Sequence, residues 1–80
     1  MLYSLTCKNT NDLKEIMSLL NYYKFNVSYD GKFDKTGNKK FIVDLENFVA
    51  KYCYSHAYKS KDISLNDLED NFLLKRNNVI

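Results

Sequence analysis

The sequence contains no proline and no tryptophan, only two glycines, two cysteines and one histidine, and a single arginine among its twelve cationic side chains. Each scarcity removes a class of function. Gly31 and Gly37 are too few and too far apart to form a glycine-rich phosphate cradle. Cys7 and Cys53 cannot supply the dense framework of a small secreted disulfide scaffold, and read as two buried thiols packing like small hydrophobes. With His56 as the sole imidazole, the paired short spacings of a zinc site are missing, and no cofactor is expected. No apolar run approaches the roughly 18–20 residues needed to cross a bilayer. The first residues, Met1 to Cys7, lack the basic start and apolar core of a secretory signal, so the expectation is a cytoplasmic protein of a bacterial host, with no membrane partner.

At 80 residues the chain fits one domain, 1–80, and is too short to enclose a deep cleft between lobes. With 45% hydrophobic and 28% charged residues its composition is that of a folded globule. The abundance of Lys, Asn, Tyr, Phe and Ile beside the missing Pro and Trp matches AT-rich codon usage. That points to a low-GC bacterium or to one of its phages or plasmids.

The formal net charge is +2, but it is unevenly spread. Over residues 30–61 seven lysines stand against Asp30, Asp34, Asp44 and Glu46, whereas over residues 62–80 Lys75 and Arg76 face Asp62, Asp67, Glu69 and Asp70. A basic middle and an acidic end can steer a charged partner.

Residues 2–7 alternate apolar and polar, as a half-buried strand does. The polar stretch Lys8 to Asp12 carries helix-start residues, and Asp12 with Glu15 has capping-box spacing. Leu13, Ile16, Met17 and Leu20 then mark one face of a helix over about residues 11–23. Phe25, Val27 and Tyr29 alternate with Asn26, Ser28 and Asp30, a second strand. Asp30-Gly31 is a hairpin signal and Asp34-Lys35-Thr36-Gly37 a longer turn, so a returning strand over residues 39–43 is expected to pair with the second.

Asp44 has the chemistry of a helix cap. Leu45, Phe48, Val49, Tyr52, Cys53 and His56 recur at helical spacing, which predicts a second helix to about Lys59. Ser64 and Asp67 cap a last helix, with Leu65, Leu68 and Phe72 facing inward, ending near Lys75 and Arg76. The fold expected is α+β in the order β-α-β-β-α-α: a small, mostly antiparallel sheet with helices packed on one face. Phe48, Val49 and Tyr52 are expected in its core, opposite Leu13, Ile16, Met17 and Leu20.

Asp34-Lys35-Thr36-Gly37 resembles the phosphorylation motif of the P-type ATPases, in which the aspartate accepts the phosphoryl group. Asn38 stands where that family continues with Thr. The nucleotide- and metal-binding parts that such a reaction needs do not fit in this length, so the four residues read as a turn. Cys53 and His56 lie three apart on the predicted helix, away from the N-terminal dipole that would activate the thiol, and no third group orients them. No enzymatic activity is expected.

Binding is the remaining class. On the predicted second helix Tyr54 and Tyr58 fall opposite the core stripe, beside Asn47 and Lys51, and the returning strand adds Lys39 and Lys40. Tyrosine is enriched at interfaces. The expectation is therefore a non-enzymatic protein-binding module, of the kind a phage or plasmid uses to inhibit or modulate a larger host nucleic-acid enzyme. The alternative is a small nucleic-acid-binding regulator in which the lysines follow phosphates and the tyrosines stack on bases. Scarce arginine speaks against that alternative, because arginine is the side chain that reads guanine edges bidentately. A homodimer is compatible with either reading.

Overall fold

The computed structural model describes residues 1–74, and the predicted end of the last helix at Lys75 and Arg76 lies outside them. The protein is a small α+β fold built on one five-stranded mixed sheet. Strand β1 (Leu2–Leu5) leads into helix α1 (Thr10–Tyr22). Asn9 caps this helix by accepting the Asp12 N–H at 2.8 Å, and Asp12 returns the favour by accepting the Lys8 N–H at 3.1 Å. The helix is thus capped by Asn9, one turn earlier than the Asp12 and Glu15 spacing suggests. Strand β2 (Asn26–Ser28) follows, then a long loop over residues 29–38, then β3 (Lys39–Asp44).

The expected second helix does not form. Residues Val49–Tyr54 are strand β4, joined to β3 by a tight turn. Asp44 uses the chemistry of a helix cap to build that turn instead, with Oδ1 accepting the N–H groups of Glu46 and Asn47 at 3.0 and 3.2 Å. Phe48 completes the reversal in a left-handed conformation (φ 56°), which is incompatible with continuing a helix. A single 3-10 turn (Ser55–Ala57) leads towards strand β5 (Ser60–Asp62). The short helix α2 (Leu65–Leu68) is capped as expected, its Asp67 N–H donating to Ser64 Oγ at 3.1 Å. It widens into a π-type turn over Glu69–Leu73. The element order is therefore β-α-β-β-β-β-α.

The strand order is β2-β4-β3-β1-β5. β3 is antiparallel to both of its neighbours, while β2 runs parallel to β4 and β5 parallel to β1. The sheet is mixed rather than mostly antiparallel, and β2 and β3, expected to form the hairpin, are not neighbours. Two crossovers cause this. In β1-α1-β2 the helix spans one face of the sheet. From β4, residues 55–59 must reach β5 in the opposite direction along the sheet. They also travel the length of β3, since Tyr54 lies opposite Lys39, while Ser60 lies beside Leu2, whose antiparallel partner is Asp44. Connections between parallel strands are right-handed almost without exception, so this link has to cross the face opposite α1. The 3-10 turn starts beside β3, the Ser55 N–H donating to the Asn38 carbonyl at 3.1 Å.

The core lies on the α1 face. Leu13, Ile16 and Leu20 of the helix meet Leu5, Phe41, Val43, Ala50 and Tyr52 of the sheet, closed at the side by Leu68 and Leu73. Tyr52 is buried as expected, whereas Phe48, Val49 and Met17 are only partly covered. The other face carries Asn26, Ser28, Ser4, Lys40, Ile42, Lys51, Cys53 and Asp62, none of which belongs to the core cluster. Ser4 is 1% exposed there, and its hydroxyl donates to Asp62 Oδ1 at 2.5 Å. Lys40 Nζ reaches the same oxygen at 3.2 Å, so the three side chains fasten β5 to the sheet.

Candidate binding surface

Tyr52, on β4, organises one end of the sheet. Its ring meets those of Phe41 at 5.2 Å, Tyr29 at 5.4 Å and Phe33 at 6.4 Å, the last stacked within 11° of parallel. Its hydroxyl accepts the Asp34 N–H at 2.9 Å, which pins the loop 29–38 against the sheet. Inside the loop Asp34 accepts the Thr36 hydroxyl at 2.6 Å, the Thr36 N–H at 3.0 Å and the Lys39 N–H at 3.0 Å. Gly31 and Gly37 take the left-handed conformations (φ 83° and 80°) that let the loop fold back. Neither of the two turn signals closes a hairpin; both shape this loop.

Lys39 and Tyr54 are directly opposite each other across β3 and β4. The Lys39 ammonium stands 5.2 Å from the Tyr54 ring centre and 5.8 Å from that of Tyr52, within cation–π range. It also pairs with Asp30 at 3.8 Å, and the Lys39 side chain is only 18% exposed. Tyr54 remains 48% exposed, with the His56 ring 5.7 Å from its own. Lysine, tyrosine and histidine thus form an amphipathic corner at the end of the sheet, backed by the buried aromatic cluster.

The other residues singled out in the sequence disperse. Lys51 and Lys40 lie on the opposite sheet face, the former exposed across from Ile42, the latter tied to Asp62. Asn47 sits in the β3–β4 turn at the far end of the hairpin, where its side-chain amide donates to Asp44 Oδ2 at 2.8 Å. Tyr58, 39% exposed, follows the 3-10 turn and lines a shallow groove with Met1, Lys59 and Lys61. The single face expected for Tyr54, Tyr58, Asn47 and Lys51 depended on a helix of 3.6 residues per turn, and the strand removes it. The sequence reading missed Tyr29, Phe33, Tyr52 and His56 as parts of the corner. Two-residue alternation through Ala50, Tyr52 and Tyr54 was the signal for the last two strand positions.

Among the described residues no group of three or more potential metal ligands comes together. Burial, with the Asp12 charge adding to it, pushes the Cys7 thiol up to about 11, and burial also raises Cys53. Both thiols are therefore protonated, and poor nucleophiles, at neutral pH. No helix among the described residues is long and apolar enough to cross a membrane.

Four aspartates in and beside the basic region are engaged locally. The Thr36 hydroxyl and amide hold Asp34 below the usual carboxylate range, the Lys32 amide does so for Asp30, the Asn47 side chain for Asp44, and the Ser4 hydroxyl for Asp62. A carboxylate whose folded pKa is depressed adds stability above its unfolded value, and that stability is lost as pH falls through the folded value. The melting midpoint should accordingly be flat from neutrality to about pH 5 and fall steadily below about pH 4. Asp34→Asn should flatten part of that fall in a thermal melt series. An identical acid profile in wild type and variant would show that Asp34 takes no part.

In contrast, Lys32, Lys35, Lys51, Lys59 and Lys61 make no ion pair among the described residues. Comparison of the chain with protein-family models, with curated proteins and with solved structures finds no match.

Proposed function

We propose that this chain is a non-enzymatic binding module that recognises a larger protein through the corner formed by Tyr54, Lys39 and His56. The observation that carries this reading is the Tyr54 ring, half exposed yet in contact with the Lys39 ammonium across the paired strands β3 and β4. An exposed tyrosine fixed in this way offers a large contact area with little conformational entropy left to lose, the property that makes tyrosine a hot-spot residue. The unpaired lysines beside locally engaged carboxylates favour an acidic partner surface. Size, AT-rich composition and thiols held in their protonated form agree with a phage- or plasmid-type modulator of a host nucleic-acid enzyme.

The test begins with capture of partners on the immobilised chain from extracts of its source cells, followed by titration of the purified partner. Tyr54→Ala should weaken binding by about 2 kcal/mol or more, roughly thirtyfold, with an unchanged melt. Lys39→Met, which keeps the stem and removes the charge, should weaken it less and mainly slow association at low salt. Lys40→Ala should bind like wild type, because Lys40 lies on the other face and serves Asp62. Wild-type affinity for Tyr54→Ala would place the binding surface elsewhere. A nucleic-acid partner would announce itself by a steep dependence of affinity on salt, dominated by the lysines rather than by Tyr54.

A further inference from the structure

The two edges of the sheet are built differently. At one edge β5 carries Lys61, follows Lys59 and ends in Asp62. Two copies of this strand pairing antiparallel about a two-fold axis, with like faces of the sheet aligned, must register on a residue. Centred on Ser60 they set Lys59 against the partner's Lys61, centred on Lys61 they oppose the two Lys61 side chains, and centred on Asp62 the two carboxylates. Every register is repulsive, which is how natural sheets protect an edge.

The other edge, β2, has no such protection. Asn26, Val27 and Ser28 carry no charge and no proline, and Asn26 and Ser28 are exposed. Around Val27 the sequence Phe25-Asn26-Val27-Ser28-Tyr29 is complementary to itself when reversed. A two-fold axis through Val27 sets Asn26 against the partner's Ser28 and Phe25 against the partner's Tyr29; Lys24, in a left-handed conformation (φ 68°), ends the extended segment. These are a polar and an aromatic pair, cross-strand combinations that stabilise antiparallel strands. The faces agree as well, since Phe25, Val27 and Tyr29 share the core side and Asn26 and Ser28 the other.

The backbone fits the same axis. The Asn26 N–H donates to the Phe48 carbonyl at 2.8 Å, so Asn26, and with it Ser28, turns its amide and carbonyl towards β4. In a parallel ladder alternate residues face alternate sides, so Val27 turns its own to the free edge, and Tyr29 would do the same on extending the strand by one residue. The Phe25 N–H is engaged by the Leu20 carbonyl at 2.9 Å, but its own carbonyl can accept. A partner strand would then complete Val27 N–H to the partner's Val27 carbonyl, and Tyr29 N–H to the partner's Phe25 carbonyl, each twice by symmetry.

We infer that the protein self-associates through β2, two copies joining edge to edge, antiparallel about Val27, into one continuous ten-stranded sheet. The paired segment is short, so the dimer is concentration-dependent rather than obligate. The pairing uses none of Tyr54, Lys39 and His56, although Tyr29 borders both sites, so this inference does not rest on the binding function.

Sedimentation equilibrium of the full chain over about a hundredfold concentration range, up to about 1 mM, reads the association directly. The mass should rise from the 9.5 kDa monomer towards twice that value. Asn26→Lys with Ser28→Lys sets lysine against lysine on both sides of the axis and should weaken dimerisation at least about tenfold. Asn26→Lys with Ser28→Glu places opposite charges there and should restore it. Amide exchange of the wild type gives a second reading that needs no variant: the Val27 N–H should be slowed at high concentration, while that of Asn26 stays protected throughout. A monomeric mass at every concentration overturns the inference. So does a double-lysine variant that dimerises like wild type, or a Val27 amide whose exchange does not depend on concentration.

Discussion

Phe41→Ala should lower the stability of the protein by about 3–5 kcal/mol, the cost of deleting a fully buried aromatic ring. Phe41 is 0% exposed, on the strand of the sheet that has antiparallel partners on both sides. It stands opposite Leu5 on β1 and Tyr52 on β4, with its ring 5.2 Å from that of Tyr52. No side chain nearby is positioned to refill the space, because Leu13, Ile16 and Leu20 are already packed in the same cluster. A chain of this length is stable by about 4–12 kcal/mol in total, so the variant should be substantially unfolded at room temperature or close to it. Phe48→Ala should cost less, since Phe48 is partly exposed in a turn, and the smaller residue relieves little of the left-handed strain. Urea denaturation of the two variants ranks them. Equal midpoints would mean that the core does not centre on β3.

Phe48 was expected in the core and stands instead in a turn, partly exposed, and the reason is physical. Leu45, Phe48, Val49, Tyr52, Cys53 and His56 fit a helical period. The same stretch also fits a strand, with Ala50 and Tyr52 inward and Lys51 outward, and its valine, tyrosines and cysteine suit a pleated surface better than a helix. Asp44 could not decide between them, since a carboxylate accepting amides two and three residues ahead begins a helix and tightens a turn equally well. β1, α1, β2, β3 and the Ser64 cap were legible because each has a clean period or a cap whose partner lies within three residues. The parallel pairings of β2 with β4 and of β5 with β1 were not, because they are set by crossovers spanning other strands, and Asp30-Gly31 misdirected the hairpin to the wrong strand. The same limit applies to the binding corner. Lys39 and Tyr54 could be picked out as a lysine and a tyrosine, but their contact is a matter of register, fifteen positions apart in sequence.

Tyr52 is where fold and corner meet, and two substitutions separate its roles. Tyr52→Ala should cost about 3–5 kcal/mol, because the ring joins Phe41 in the core to Tyr29 and Phe33 in the loop. It should also free the loop 29–38 and remove one of the two rings beneath the Lys39 ammonium. Tyr52→Phe keeps every ring contact and deletes only the acceptor for the Asp34 N–H, so it should cost about 1 kcal/mol. Burial holds the Tyr52 hydroxyl protonated well into alkaline pH, so the bond lost is one between neutral groups. Denaturation separates the two variants by magnitude, and amide exchange separates them by location. In Tyr52→Phe the Asp34 amide should exchange faster while those of β3 and β4 stay slow, whereas Tyr52→Ala should accelerate the whole hairpin. If Tyr52→Phe proves as damaging as Tyr52→Ala, the hydroxyl rather than the ring anchors the loop, and the corner around Tyr54 rests on one hydrogen bond rather than on an aromatic cluster.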